Sequence, residues 1–257
     1  MEKETGERII EKTGLLMVGN PTNKSMKAIL EQKGVDGYGM TIEEAMSKYP
    51  ALTLPKGYTA WFEESAGIVR ARVGLEALAQ VATKRGADLR YGKEVRHVTE
   101  RSVELEDGTV FEGKNVVVCC GPRTERFLKE KDVEVIPTEY MTFTDPTGLP
   151  ETIAEFADSG NKYALLDGEK MDTYKVGLDY ERNITTLLDY IDKRMPSKRE
   201  NLYKSQPCFY TRTPDAQFRY VKKDGVAFVY AFSGHGFKFT PFHGKMAYKL
   251  ITEKGKL

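Results

Sequence analysis

The sequence predicts an α/β fold, and three observations carry that prediction. Leu75, Leu78, Ala79 and Ala82 recur at the i, i+3, i+4, i+7 spacing of an amphipathic helix. Val103 and Leu105 alternate with polar residues, turn at Asp107-Gly108 and return through Val110, the pattern of a hairpin. Asn115-Val-Val-Val-Cys-Cys120 is a continuous apolar run, as expected of a strand buried on both faces. Helix, strand, hairpin, buried strand, glycine turn and helix in that order belong to a layered α/β chain, not to a barrel or a helix bundle.

Along the chain, Thr13 to Gly19 reads as a strand, and a helix is expected near 23–33. Thr41 and Glu44 stand three apart, the spacing of a capping box, so a helix should start there and stop before Pro50. The aromatic stretch Gly57-Tyr-Thr-Ala-Trp-Phe62 is β-prone. Gly86 suits the position just past the end of the Leu75 helix. Asp88 to Val95 reads as a strand, and Pro122 suits the first turn of a helix running to Lys129. From Val133 to Tyr180, short β-prone pieces alternate with turns. Ile184 to Lys193 looks helical, followed by a polar linker over Lys198 to Lys204. Val226-Ala-Phe-Val-Tyr-Ala-Phe232 is a second buried strand, and a final helix should begin after Pro241 and end near Ile251.

Composition narrows the function. With 39 Lys+Arg against 38 Asp+Glu, the formal net charge is +1, which gives no whole-chain case for a nucleic-acid or membrane-surface partner. Hydrophobic residues make up 40% and charged residues 30% of the 257, as in a soluble globular protein. No apolar run approaches the ~20 residues that span a bilayer, and the polar N-terminus does not read as a signal peptide. Cys119, Cys120 and Cys208 are too few for a disulfide framework, so a reducing compartment is expected.

Two apparent signals fail on chemistry. Gly19-Asn-Pro-Thr-Asn-Lys-Ser25 resembles a phosphate-binding loop but lacks the glycine before the lysine. The three histidines, His97, His235 and His243, show no metal-ligand spacing, and His97 reads as a surface residue. Two other segments are stronger. In Phe232-Ser-Gly-His-Gly-Phe-Lys-Phe239, glycines flank a histidine at the end of a buried strand, where the backbone can approach a planar ligand. Cys208-Phe-Tyr-Thr-Arg-Thr-Pro-Asp215 puts a single cysteine in an aromatic, turn-rich stretch, read either as a buried thiol or as a derivatised one.

Together these segments resemble the sarcosine oxidase, N-methyltryptophan oxidase and pipecolate oxidase group of the D-amino-acid-oxidase-like flavoproteins. Gly57 to Gly67 resembles that family's F-E-x-x-A-G segment, and Val116 to Pro122 its strand ending in a small-small-Gly turn. The 208–215 and 232–239 segments are similar to its C-x-Y-T-x-T-P-D and F-S-G-H-G-F-K-F/L motifs. The resemblance implies FAD as cofactor, attached covalently through Cys208. Gly234, His235, Gly236 and Phe237 would lie against the flavin, with Val95 near the adenine and Gly121 in the small-small-Gly turn. Lys238 would bind the substrate carboxylate, and Tyr210 and Tyr163 would line the substrate pocket. Lys175 would be the catalytic lysine that promotes reaction with oxygen. The implied reaction oxidises a secondary amine or an N-methyl or cyclic amino acid to an imine and reduces molecular oxygen to hydrogen peroxide. The cofactor performs the redox step, and the protein supplies orientation and charge.

The implied fold is an FAD-binding-domain remnant, 58–129 and 214–257, interleaved with a substrate domain, 1–57 and 130–213. The substrate domain is expected to be built on a mixed, largely antiparallel sheet. No G-x-G-x-x-G occurs; Gly34-Val-Asp-Gly-Tyr-Gly39 has the wrong spacing and no preceding buried strand. The family's arginine partner for Lys238 has no counterpart, and Asp179 stands where the family often has histidine. The expectation is therefore an N-terminally shortened chain that by itself binds FAD weakly or not at all and has open strand edges near Val116 to Cys120. Two alternatives stay open: a non-catalytic remnant acting as a binding module, and a subunit completed by a separate dinucleotide-binding chain. The C-terminal Gly-Lys-Leu257 faintly resembles a peroxisomal address, so a cytoplasmic or peroxisomal location is expected.

Overall fold

A computed structural model describes all residues except 32, 33, 35, 129–132, 158, 159, 169, 179–182 and 253–257. The chain forms two compact units, Met1–Arg85 with Pro137–Cys208 and Gly86–Ile136 with Phe209–Leu257. The expected domain divisions at 57/58, 129/130 and 213/214 are of a different kind. They follow a nucleotide-binding fold, and compactness of contacts does not decide which residues form one.

The first unit is built on an eight-stranded sheet. Its strand order is Leu202–Arg212, Glu134–Thr144, Thr173–Leu178, Lys162–Asp167, Thr152–Phe156, Leu15–Gly19, Thr59–Glu63 and Gly37–Met40. Strand 152–156 runs parallel to 15–19, whereas the pairs 134–144 with 173–178, 162–167 with 173–178, and 15–19 with 59–63 are antiparallel. The mixed, largely antiparallel sheet is as expected. One face carries the core. Leu16, Val18, Phe143, Ile153, Ala164, Tyr174 and Val176 are buried there with Leu187 and Ile191 of the helix Ile184–Arg194. Burying each large apolar side chain contributes about 1.5–3 kcal/mol.

The helix Ile42–Lys48 starts where the capping box predicts. Thr41 Oγ1 accepts from Glu44 N–H at 3.1 Å, and Glu44 Oε2 accepts from Thr41 N–H at 2.8 Å. Asn23 caps the helix Lys24–Leu30 by accepting from Ser25 and Met26 N–H, so the amide groups of the phosphate-loop lookalike are held by its own side chain. The helix Ala71–Lys84 forms as expected and is followed by Gly86 at φ +90°. Its buried face differs from the expectation. Gly74, Ala77 and Val81 are buried, while Leu75 and Leu78 are 55% and 40% exposed. The helix packs against Glu2–Thr5, and small residues allow that approach.

In the second unit, Val95–Val98, Ser102–Leu105 and Val110–Glu112 form an antiparallel sheet. Gly108 at φ +82° makes the expected turn. The strand expected over 88–95 begins only at Val95. Strand Val226–Tyr230 is buried at every residue, as predicted for a strand covered on both faces. Leu128, with Val98, Val103 and Phe127, packs in the cluster on one face, and Leu250 of the helix Thr240–Thr252 packs on the other.

Three expectations are corrected. The apolar run 115–120 pairs only as Val117–Val118, parallel to 226–230. Val117, Cys119 and Cys120 are exposed, because this strand is the last in its three-stranded sheet. The helix expected after Pro122 is a single 3₁₀ segment, Gly121–Arg126. The polar linker at 198–204 is likewise a 3₁₀ segment, Pro196–Asn201, that leads directly into strand 202–212. No helix among the described residues is long and apolar enough to cross a membrane.

Candidate functional site

The sheet face opposite the first unit's core gathers the polar residues of interest. Alternation puts Lys175 and Gly177 on that face while Tyr174 and Val176 enter the core. Antiparallel register then sets Tyr140 opposite Gly177 from one side and Tyr163 opposite it from the other. Lys175 Nζ lies 4.1 Å from the centre of the Tyr140 ring. Tyr140 Oη donates to Gln206 Oε1 at 2.6 Å. Gln206 and Cys208 are two apart on strand 202–212 and share a face. Cys208, Gln206, Tyr140, Lys175 and Tyr163 therefore cross four adjacent strands on one face. All five are half-buried.

Gly177 shapes this face. A side chain there would run into the ring and hydroxyl of Tyr163. Burial raises the Tyr140 phenol above its ordinary value, and the neighbouring Asp167, Cys208 and Tyr203 push it further. The phenol thus stays neutral, and its contact with Lys175 is that of a cation over a neutral ring. Among the described residues no carboxylate lies within ion-pair distance of Lys175. Cys208 is a free, half-buried thiol.

The second unit holds the other residues of interest. Strand 226–230 ends in a turn in which Ala231, Ser233 and Gly234 have φ of 61°, 49° and 75°. Left-handed backbone at two non-glycine residues costs about 1–3 kcal/mol each and is concentrated at functional sites. A Cβ at Gly234 would meet the Tyr210 ring at 2.9 Å, and one at Gly236 would meet Phe232 at the same distance. His235 Nδ1 is 2.6 Å from Ser233 O. A carbonyl only accepts, so Nδ1 carries the proton and Nε2 is left as the acceptor. Phe237 and Lys238 follow in the 3₁₀ segment Phe237–Phe239, with Phe237 half-buried and Lys238 exposed. Lys238 has no carboxylate partner among the described residues.

Tyr210, Gly234, His235, Gly236, Phe237 and Lys238 thus form one neighbourhood. Val95 and Gly121 stand apart from it, at the start of strand 95–98 and of the 3₁₀ segment 121–126. Arg126 of that segment pairs with Glu94, the neighbour of Val95, at 2.9 Å. Asp179 and Leu257 lie outside the described residues. No group of three metal-ligating side chains occurs among the described residues.

The Thr213-Pro-Asp215 end of the cysteine segment is fixed by Asp215. Its Oδ1 accepts from Gln217 N–H at 3.1 Å, Thr213 Oγ1 at 2.8 Å and Arg219 Nη2 at 3.0 Å. These hold the carboxyl down at about 2. A depressed carboxylate stabilises the fold above its unfolded value near 4, and that contribution is lost as pH falls through 2. Asp215→Asn should remove the wild-type protein's loss of stability between about pH 4 and 2 in this turn. Urea melts at pH 6 and pH 3 test this: the gap between variant and wild type narrows at pH 3, and a constant gap would refute the assignment.

Sequence reasoning missed Tyr140 and Gln206. It also missed a buried polar pair on the core side of the first unit. Arg194 binds Glu155 through two bonds, Nε to Oε2 at 2.8 Å and Nη2 to Oε1 at 2.7 Å. The side chains are 16% and 2% exposed. Tyr58 Oη adds a 3.3 Å bond to Glu155. Burial alone would lower Arg194, but the bonds and charge of Glu155 outweigh it and raise it. No local motif marks such a pair; only strand alternation through Ile153 and Glu155 could have hinted that a carboxylate faces the core.

Comparison with known proteins bears on the whole chain. The family model described as "FAD dependent oxidoreductase" matches residues 1–250. Human peroxisomal sarcosine oxidase is 27% identical over 287 aligned positions, covering 97% of this chain and 74% of that protein. Monomeric sarcosine oxidase of Bacillus sp. (strain B-0618) is 23% identical, covering 97% and 73%. Among solved structures, NikD, an amino acid oxidase essential for nikkomycin biosynthesis, superposes with a TM-score of 0.82 at 18% identity, covering 99% and 77%.

Proposed function

Since this chain belongs to the family of FAD dependent oxidoreductases, we propose that it is an amine or amino acid oxidase of the sarcosine oxidase type. Its substrate is a secondary amine or an N-methyl or cyclic amino acid. Two electrons and two protons leave the C–H and N–H bonds to give an imine, and molecular oxygen takes them up as hydrogen peroxide. FAD, when bound, supplies the two-electron acceptor. The observation that carries this reading is the shared face of Cys208, Lys175 and Tyr163, which are distant in sequence but lie within four successive strands of one sheet.

The residues fit the ring end of such a cofactor. Gly234 is exposed on a turn held in an unusual conformation, where a backbone without side chains can approach a planar ring. The half-buried thiol of Cys208 suits a thioether to the flavin. Lys238 holds the substrate carboxylate, and Tyr210 and Tyr163 line the pocket. Gly234, His235, Gly236 and Phe237 face the flavin, with Val95 toward the adenine. Residues 58–129 and 214–257 serve the cofactor, and 1–57 and 130–213 the substrate. Lys175 sets a positive charge where reduced oxygen gathers negative charge, in a site whose low polarity strengthens the effect.

Mass spectrometry of the denatured protein, after incubation with excess FAD, tests the cofactor half. The wild type should gain the mass of FAD on the peptide containing Cys208, and Cys208→Ala should gain none. Flavin that is absent from both, or retained by both, would refute attachment at Cys208. Peroxide release with sarcosine, pipecolate and N-methyl amino acids tests the reaction itself.

A further inference from the structure

Tyr140 stands where no motif directs attention, yet three independent contacts fix it. Its backbone pairs opposite Gly177, its hydroxyl is tied to Gln206, and its ring lies under the Lys175 ammonium at 4.1 Å. Gln206 precedes Cys208 by two residues on the same face of its strand. Tyr140 therefore links the strand that bears the cysteine to the strand that bears the lysine. A lysine side chain has four rotatable bonds and loses rotamer entropy when held in one place. Lys175 has no carboxylate partner among the described residues to do this, and the aromatic face supplies the attraction instead. Gly177 contributes by presenting no side chain between the two tyrosines, so Lys175 can lean across toward the ring of Tyr140.

We infer that Tyr140 is a positioning residue for Lys175: its ring, anchored through Gln206, fixes the ammonium on the sheet face that carries Cys208. The inference rests on the proposed oxygen-promoting role of Lys175 only for its kinetic consequence, not for the contact itself.

The contact is tested without flavin. The full chain is reductively methylated with ¹³C-formaldehyde, which keeps the lysine charge, and the Lys175 methyl signal is identified by its loss in Lys175→Arg. In the wild type, the Tyr140 ring current shifts this signal upfield of the bulk lysines. Tyr140→Leu should return it to the bulk position, and Tyr140→Phe, which keeps the ring, should leave it shifted. A signal that stays shifted in Tyr140→Leu, or that both variants move alike, overturns the inference. Thermal melts of both variants establish that they are folded. In the FAD-loaded protein, Tyr140→Leu should slow reoxidation by oxygen about 10-fold while leaving anaerobic reduction of the flavin by the amine unchanged, and Tyr140→Phe should stay within about 2-fold. If the signal moves and reoxidation does not, Tyr140 still positions Lys175, and it is the oxygen role of Lys175 that fails.

Discussion

In the FAD-loaded protein, Lys175→Met should slow reoxidation by oxygen by about 10²–10³-fold, the scale of removing one preorganised charge stabiliser from a dry site. Methionine keeps the length of the side chain and removes only its charge. Lys175 is half-buried, sits on the polar face of the sheet, and has no carboxylate partner among the described residues. Its charge is therefore not neutralised locally and is available to an incoming anion. The loss should be confined to the oxidative half of the cycle. Reduction of the flavin by substrate, followed anaerobically in a stopped-flow instrument, should change less than about 3-fold, because that step develops no negative charge on oxygen. A Lys175→Met protein that reoxidises at the wild-type rate would remove Lys175 from the oxygen step, whatever becomes of Tyr140.

The second large effect concerns stability. Arg194→Met should cost about 3–5 kcal/mol, because it leaves the Glu155 carboxylate buried without its counter-charge. Glu155 is 1% exposed, and besides Arg194 it receives a 3.3 Å contact from Tyr58. The double variant Glu155→Leu/Arg194→Met should recover most of that loss, since an apolar pair of similar volume carries no desolvation penalty. Urea denaturation checks both, with the midpoint falling in the single variant and the slope unchanged. A single variant within about 1 kcal/mol of wild type would mean that water reaches Glu155 and that the pair is not buried in solution.

Much of the fold was legible where a local interaction decides the outcome. The Thr41–Glu44 box, the Asp107-Gly108 turn and the fully buried strand 226–230 need only a few neighbouring residues to be recognised. The misreadings come from partners that a sequence does not display. The run 115–120 is apolar throughout, but an apolar run does not reveal whether a second strand will lie beside it, and here Val117 is left exposed. In the helix 71–84, periodicity identified a helix but favoured its leucines. The buried stripe is Gly74, Ala77 and Val81, chosen by how closely another helix can approach. The site divides the same way. The residues in the two ligand-like segments could be named from sequence, but the left-handed backbone at Ala231 and Ser233 in the turn at 231–236 was not foreseen. Tyr140 and Gln206 were invisible because their relevance depends on strand register, which links positions 66 residues apart.

Gly177 sets a limit on how this sheet face can diversify. Both neighbouring strands press a tyrosine toward it, and any side chain would displace Tyr163. The floor of the face is thus fixed, and variation is channelled into the walls. As long as Tyr163 is kept, changes at Gly177 should almost never be tolerated, whereas Tyr163 itself can vary. A library randomised at Gly177 alone should return folded variants that keep glycine there, and a larger residue should be accepted at 177 only when Tyr163 is made smaller.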